Sequence, residues 1–156
     1  MTQLKEGKKA PVLKGVDQNG NSISLADFKG KKVVLYFYPK DDTPGCTAQA
    51  CNLRDNYTEL LEKGFQVIGV SMDSVQKHKK FEKKFQLPFP LIADEDKKIV
   101  EQYGVYGEKQ FMGKTFMGIH RTTFLIDETG KIKKIILKPD TKNQTSQVLE
   151  EWGNLD

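Results

Sequence analysis

The run Val33-Val34-Leu35-Tyr36-Phe37-Tyr38 constrains the fold more than any other stretch of the chain. It is continuous, β-rich and apolar, with no alternation, so as a strand it needs cover on both faces. Residues 65–71 (Phe-Gln-Val-Ile-Gly-Val-Ser) repeat that signal. Between the two, residues 47–61 carry apolar side chains near helical spacing, with Gly64 marking the end. A basic helix is expected over 74–86, then a short strand over 89–93 whose proline fits an edge or a strand start. Residues 96–103 read as a helix ending at Gly104, and 146–152 as a closing one. Residues 122–126 and 131–137 read as strands joined by the turn Asp127-Glu128-Thr129-Gly130. Near the start, Asp17-Gln18-Asn19-Gly20 is a turn between two weak strands. Strand–helix alternation followed by a hairpin and a last helix predicts one α/β sheet flanked by helices on both faces. No linker or repeat interrupts it, so a single domain over 1–156 is expected.

At 156 residues the chain can bury a core without covalent staples, and two cysteines are too few for a disulfide-knit scaffold. No apolar run approaches the roughly 20 residues needed to cross a bilayer. The first nine residues are polar and lack the apolar stretch of a signal peptide. The expectation is a soluble, cytosolic protein without membrane contact, in which a disulfide is transient. Twenty-five basic residues against 21 acidic ones give a modest net charge of +4. The densest basic stretch, 77–84, reads as a solvated helix face with Phe81 and Phe85 turned inward. No base-reading module accompanies it, which argues against nucleic-acid binding. Residues 105–120 lack clear periodicity and are expected to form a long loop. Its Phe111, Met112, Phe116 and Met117 either wall an apolar pocket or pack the loop onto the core.

The chemistry is concentrated in Pro39-Lys40-Asp41-Asp42-Thr43-Pro44-Gly45-Cys46, between the first strand and the helix, and in Cys51 beyond it. Cys46 falls at a helix N-terminus, where unpaired backbone N–H groups and the macrodipole favour a thiolate, the reactive form of cysteine. Thr43 can place a hydroxyl beside the sulfur, and Pro39 and Pro44 stiffen the loop. A fixed cation would complete a peroxide-cleaving site, and arginine suits it best. Only two of the 25 basic residues are arginines. Arg121 directly precedes a buried strand and is the candidate cation. Arg54, eight residues past Cys46, suits a supporting ion pair with Asp55 or Glu59. Cys46 and Cys51 lie about 9 Å apart on an intact helix, too far for a disulfide. Either they never meet, or the first turns unwind on oxidation. His78 and His120 lack zinc-site spacing with the two cysteines. A protein thiol–disulfide oxidoreductase is the competing reading, weakened by the absence of Cys-x-x-Cys.

The pattern Pro39-x-x-x-Thr43-x-x-Cys46 resembles the active-site signature of peroxiredoxins. The longer string 36–47, with Cys51 and Leu53-Arg54-Asp55, is similar to the peroxiredoxin Q, or bacterioferritin comigratory protein, subfamily. Residues 118–127 match that subfamily's later arginine segment, and Ala10-Pro11, 23–30 and 67–73 also fit. The resemblance implies a thioredoxin-like fold and a thiol peroxidase acting on hydrogen peroxide and organic hydroperoxides. By position, Cys46 would be the peroxidatic cysteine, Pro39, Thr43 and Arg121 would complete the site, and Cys51 would resolve the sulfenic acid intramolecularly. Thioredoxin would be the reductant, no metal, haem or flavin is implied, and a monomer suffices for resolution. One departure stands out: the family commonly has glutamate where this chain has Gln49, which keeps an acceptor oxygen but loses the charge that would pair an arginine.

Overall fold

The computed structural model describes residues 2–155. A short antiparallel hairpin comes first, β1 (Lys14–Val16) against β2 (Ser22–Ser24), closed by Asp17, whose carboxylate accepts from the Asn19 and Asn21 N–H groups. A 3₁₀ turn, Leu25–Phe28, leads to the central strand β3 (Lys32–Phe37). Helices α1 (Pro44–Asp55) and α2 (Tyr57–Glu62) then return the chain to β4 (Phe65–Ser71), which pairs parallel with β3. Helix α3 (Val75–Phe85) crosses to the edge strand β5 (Leu91–Ala93), parallel to β4. After α4 (Lys98–Gln102) comes a hairpin, β6 (Tyr106–Phe111) and β7 (Lys114–Ile119). Strands β8 (Thr122–Ile126) and β9 (Ile132–Ile136) complete the main sheet, and α5 (Gln144–Gly153) closes the chain.

The main sheet runs β5-β4-β3-β8-β9, with β3 antiparallel to β8 and β8 antiparallel to β9. It is mixed, and both faces are covered, as the unbroken apolar runs predict. On one face Val34, Tyr36, Val67 and Leu125 meet Ala50 and Leu53 of α1, Leu60 of α2, Phe81 of α3 and Val148 of α5. On the other, Leu35, Phe37, Ile68 and Phe124 meet Ile99, Val100 and Tyr103 around α4, with Leu13 and Ile23 from the first hairpin. Each fully buried Val, Leu or Phe contributes roughly 1.5–3 kcal/mol, so β3, buried at every position from Val33 to Phe37, anchors both layers.

Three expectations need correction. The helix expected over 47–61 breaks at Asn56, whose side-chain amide donates to the Asn52 carbonyl at 2.8 Å and competes with the backbone ladder. The helix expected from residue 96 starts at Lys98, because the Asp94 carboxylate already accepts the N–H groups of Ile99 and Val100. The third is larger: residues 105–120 are a regular hairpin. Its two-residue turn places Met112 at φ 51° and Gly113 at φ 79°, both left-handed, as a tight primed turn requires. Phe111, Met112, Phe116 and Met117 are exposed, so they do not pack the segment onto the core.

Candidate active site

Strand β3 delivers the loop to the site. Tyr38 still donates its N–H to Val70 O at 3.1 Å, but Pro39 has no N–H to give, so the ladder stops there and the chain turns away. Thr43 is extended (φ −104°, ψ 156°) and Pro44 begins α1. The first intrahelical bond runs from Thr47 N–H to the Thr43 carbonyl at 2.8 Å. The N–H groups of Gly45 and Cys46 therefore lie ahead of the ladder, free of intrahelical partners. The Thr43 hydroxyl donates to the Lys40 carbonyl at 2.8 Å and fastens the loop; among the described residues it makes no bond to the sulfur.

Arg121 comes from the residue before β8, antiparallel to β3, and reaches the same point. Its Nη2 lies 3.4 Å from Cys46 Sγ, and its Nη1 donates to Gln49 Oε1 at 2.7 Å. Cys46 is 2 % exposed, and among the described residues this guanidinium is the group that hydrogen-bonds its sulfur. A Cβ at Gly45 would sit 3.1 Å from Arg121 Nη2, tighter than an ordinary contact, so glycine leaves the guanidinium room at this point. Gln49 does accept from the arginine, and as a neutral amide it leaves the guanidinium charge undivided for a thiolate. Arg54 instead pairs with Asp55 at 2.8 Å and donates to the Phe85 carbonyl, the supporting role expected of it.

The AhpC/TSA family pattern matches residues 7–135. Peroxiredoxin Bcp of Escherichia coli strain K12 is 50 % identical over 149 residues, 96 % of each chain. Peroxiredoxin Bcp of Bacillus subtilis strain 168 is 45 % identical over 144 residues, 92 % of each. The chain belongs to the AhpC/TSA family, among the Bcp peroxiredoxins. Its fold agrees: peroxidoxin BcpB from Mycobacterium tuberculosis superposes with a TM-score of 0.85 at 31 % identity over 99 % of each chain. A cysteine-to-serine mutant of PrxQ from Xylella fastidiosa gives 0.91 at 27 % identity, covering 99 % of this chain and 98 % of that one. The mixed sheet is thus the thioredoxin-like core of a peroxiredoxin, and peroxidase activity goes with the family.

Around this peroxiredoxin's Cys46 the structure brings in residues that the sequence left unassigned. The active-site loop is clamped by a buried polar cluster. Asp41 accepts from the Tyr38 hydroxyl at 2.6 Å and lies 2.6 Å from His78 Nδ1, while its own N–H donates to Asp73 at 2.9 Å. His78 Nε2 faces the Ile92 carbonyl at 2.9 Å, and Ser71 donates to Asp73 at 2.6 Å. Ligand atoms of Asp41, Asp73 and His78 fall within 4.8 Å of one another, but these hydrogen bonds already engage them. His78 thus ties α3 to the loop. The fork of bonds to Ile92 and Asp41 could not be read from the spacing of histidines and cysteines.

Two further groups feel the site's charge. Burial lowers the Lys109 ammonium below its ordinary value, Arg121 lowers it further and the Cys46 sulfur opposes both. Lys109 stands on β6 and donates to the Ile119 carbonyl at 2.9 Å, across the base of the unforeseen hairpin. His120, next to Arg121, faces the Glu108 carbonyl at 3.0 Å and holds the hairpin base. Beneath α1, Tyr36 is fully buried, its ring set over Gly69, where a Cβ would come within 2.9 Å of it. Burial pushes its phenol well above the ordinary range, and the charges of Cys46 and Asp41 add to that. Among the described residues its hydroxyl has no hydrogen-bond partner. An orphaned buried hydroxyl costs roughly 1–3 kcal/mol. Tyr36→Phe is therefore expected to stabilise the fold by about 1 kcal/mol and raise Tm by about 2–4 °C. An unchanged or lower Tm in thermal unfolding would contradict this.

Cys51 is half-buried on the same helix as Cys46, and both thiols are free. On a continuous helix their Cα atoms are about 9 Å apart, beyond disulfide reach. A cleft of about 320 Å³ between the N-terminal segment and the β8–β9 turn, lined by Pro11, Leu13, Phe28 and Gly130, touches none of the site residues.

Proposed function

We propose that this peroxiredoxin reduces hydrogen peroxide and organic hydroperoxides through Cys46, with Cys51 as resolving thiol and thioredoxin as reductant. The observation that carries the reading is the Arg121 guanidinium 3.4 Å from the Cys46 sulfur at the start of α1. The thiolate attacks the nearer peroxide oxygen and the O–O bond breaks. That oxygen stays on sulfur as the sulfenic acid, and the leaving oxygen departs with a proton as water or alcohol. Arg121 and the free N–H groups of the first turn hold negative charge during transfer. Pro39 and Thr43 shape the loop that holds the sulfur. The Cys51 thiolate then attacks the Cys46 sulfur, forming the disulfide and releasing water. The intact helix keeps the two apart, so the first turns of α1 must unwind between the steps. A dithiol such as reduced thioredoxin restores both thiols by exchange, and one subunit suffices throughout.

The test is a free-thiol count before and after one equivalent of peroxide, with mass mapping of any linkage. Loss of two thiols and a Cys46–Cys51 peptide are expected; an unchanged count would overturn the reading. In Cys51→Ser, Cys46 sulfenic acid should still form at the parent rate, while thioredoxin-driven turnover falls by at least tenfold, since the resolving nucleophile is gone. Parent-like turnover in that variant would remove Cys51 from the cycle.

A further inference from the structure

The Arg121 guanidinium can donate but never accept, so the atom of Gln49 that faces it must be the carbonyl oxygen. Nothing in Gln49 itself enforces that, because an amide turned over presents an NH₂ of nearly the same shape. The enforcement comes from α5. Gln49 Nε2 donates to Gln144 Oε1 at 2.8 Å, and the same oxygen accepts from the Thr123 hydroxyl at 2.7 Å. Gln144 Nε2 donates in turn to Gln147 Oε1 at 2.8 Å. The polarity of Gln147 is set by backbone on both sides: its oxygen accepts from the Asp140 N–H at 2.7 Å, and its NH₂ donates to the Lys138 carbonyl at 3.2 Å. Backbone groups do not flip. The orientation imposed at Lys138 and Asp140 is thus handed through three amides to the oxygen that meets Arg121.

Gln49 and Gln144 are both wholly buried, where an unsatisfied polar atom is costly, so each amide must obey its neighbour. From this geometry we infer that Gln144 of α5 is a positioning residue for the reacting thiol. It orients Gln49 so that Arg121 is held against Cys46. The inference rests on the reading of Cys46 as the reacting thiol. The titratable groups coupled to both Cys46 and Arg121 are Lys109 from β6 and Tyr36 from β3, and Asp41 from the loop and Cys51 further along α1 act in turn on Tyr36. None of them belongs to the amide chain.

The experiment measures the rate of Cys46 sulfenic-acid formation by hydrogen peroxide in parent, Gln144→Met, Gln49→Met and the double variant, each shown to be folded. Gln144→Met is expected to slow the step about tenfold and to move the pH profile of Cys46 alkylation by iodoacetamide to higher pH. Gln144→Glu, measured at a pH where the buried acid is neutral, still offers an oxygen to Gln49 and an O–H to Gln147 and should return the rate to within about threefold of the parent. In the Gln49→Met background, Gln144→Met should add nothing, because the link is already cut. Should Gln144→Met not fold, Thr123→Val, which removes the hydroxyl that fixes the Gln144 oxygen, should slow the step several-fold. Parent-like rates in the folded variants, or additive effects in the double one, overturn the proposal. A parent protein whose Cys46 does not react overturns the underlying reading and the proposal with it. The two failures are told apart by the parent alone.

Discussion

Cys46→Ser is expected to lower peroxide consumption by roughly 10³ or more, leaving no turnover distinguishable from the buffer. The reason lies in the nucleophile. The sulfur is reactive as an anion, and the start of α1, with Arg121 at 3.4 Å, offers an anion both free N–H donors and a cation. A serine hydroxyl in the same place stays protonated at neutral pH. It is also a poor partner for the weak O–O bond, so the surroundings have no charge to act upon. Cys51 cannot substitute. It sits in the interior of α1, where the helix N–H groups are already bonded to carbonyls, and Arg121 contacts Cys46 and Gln49 instead. The change from sulfur to oxygen is nearly isosteric, so the fold should persist, and a normal thermal transition beside a vanished rate isolates the chemistry. Stopped-flow consumption of hydrogen peroxide checks it, and turnover within tenfold of the parent would require a different reacting group.

What could be read from the chain beforehand divides along a physical line. The strands β3 and β4 were legible because both of their faces are buried, which forces an unbroken apolar run that no surface element tolerates. Arg121 was legible because arginine is rare here and this one precedes such a strand. The β6–β7 hairpin was not. Most of its side chains face water, which removes alternation, and Met-Gly at its turn lacks the Asn or Asp that usually advertises a left-handed pair. The Asn56 break hid inside a sound helical pattern, because one side-chain amide competing for one carbonyl leaves no periodicity behind. The amide chain was invisible for another reason. Gln49 and Gln144 are 95 positions apart, and two glutamines in a sequence look like surface residues until a fold buries them. Gln49 drew notice only as a departure from the family's glutamate. Its physical meaning, a neutral acceptor held by a neutral partner, needed the three-dimensional neighbour.

Arg121→Met is expected to slow Cys46 oxidation by about 10²–10³, and Arg121→Lys by about tenfold to a hundredfold. The difference between the two variants separates charge from geometry. The guanidinium meets two groups with one planar fork, Nη2 on the sulfur and Nη1 on Gln49. Methionine fills much of the space but removes the cation, leaving the charge that develops on the departing oxygen to the backbone N–H groups alone. It also strands the Gln49 oxygen, whose amide is locked from the other side by Gln144 and cannot turn to escape. Lysine restores a positive charge, yet a single ammonium on a flexible stem does not span both acceptors at once, so it recovers field without alignment. Oxidation of Cys46 by hydrogen peroxide, followed under single-turnover conditions, gives the three rates. If methionine keeps the parent rate within threefold, the guanidinium is a bystander. If lysine equals arginine, charge alone suffices and the fork, with the amides that steer it, contributes nothing to the rate.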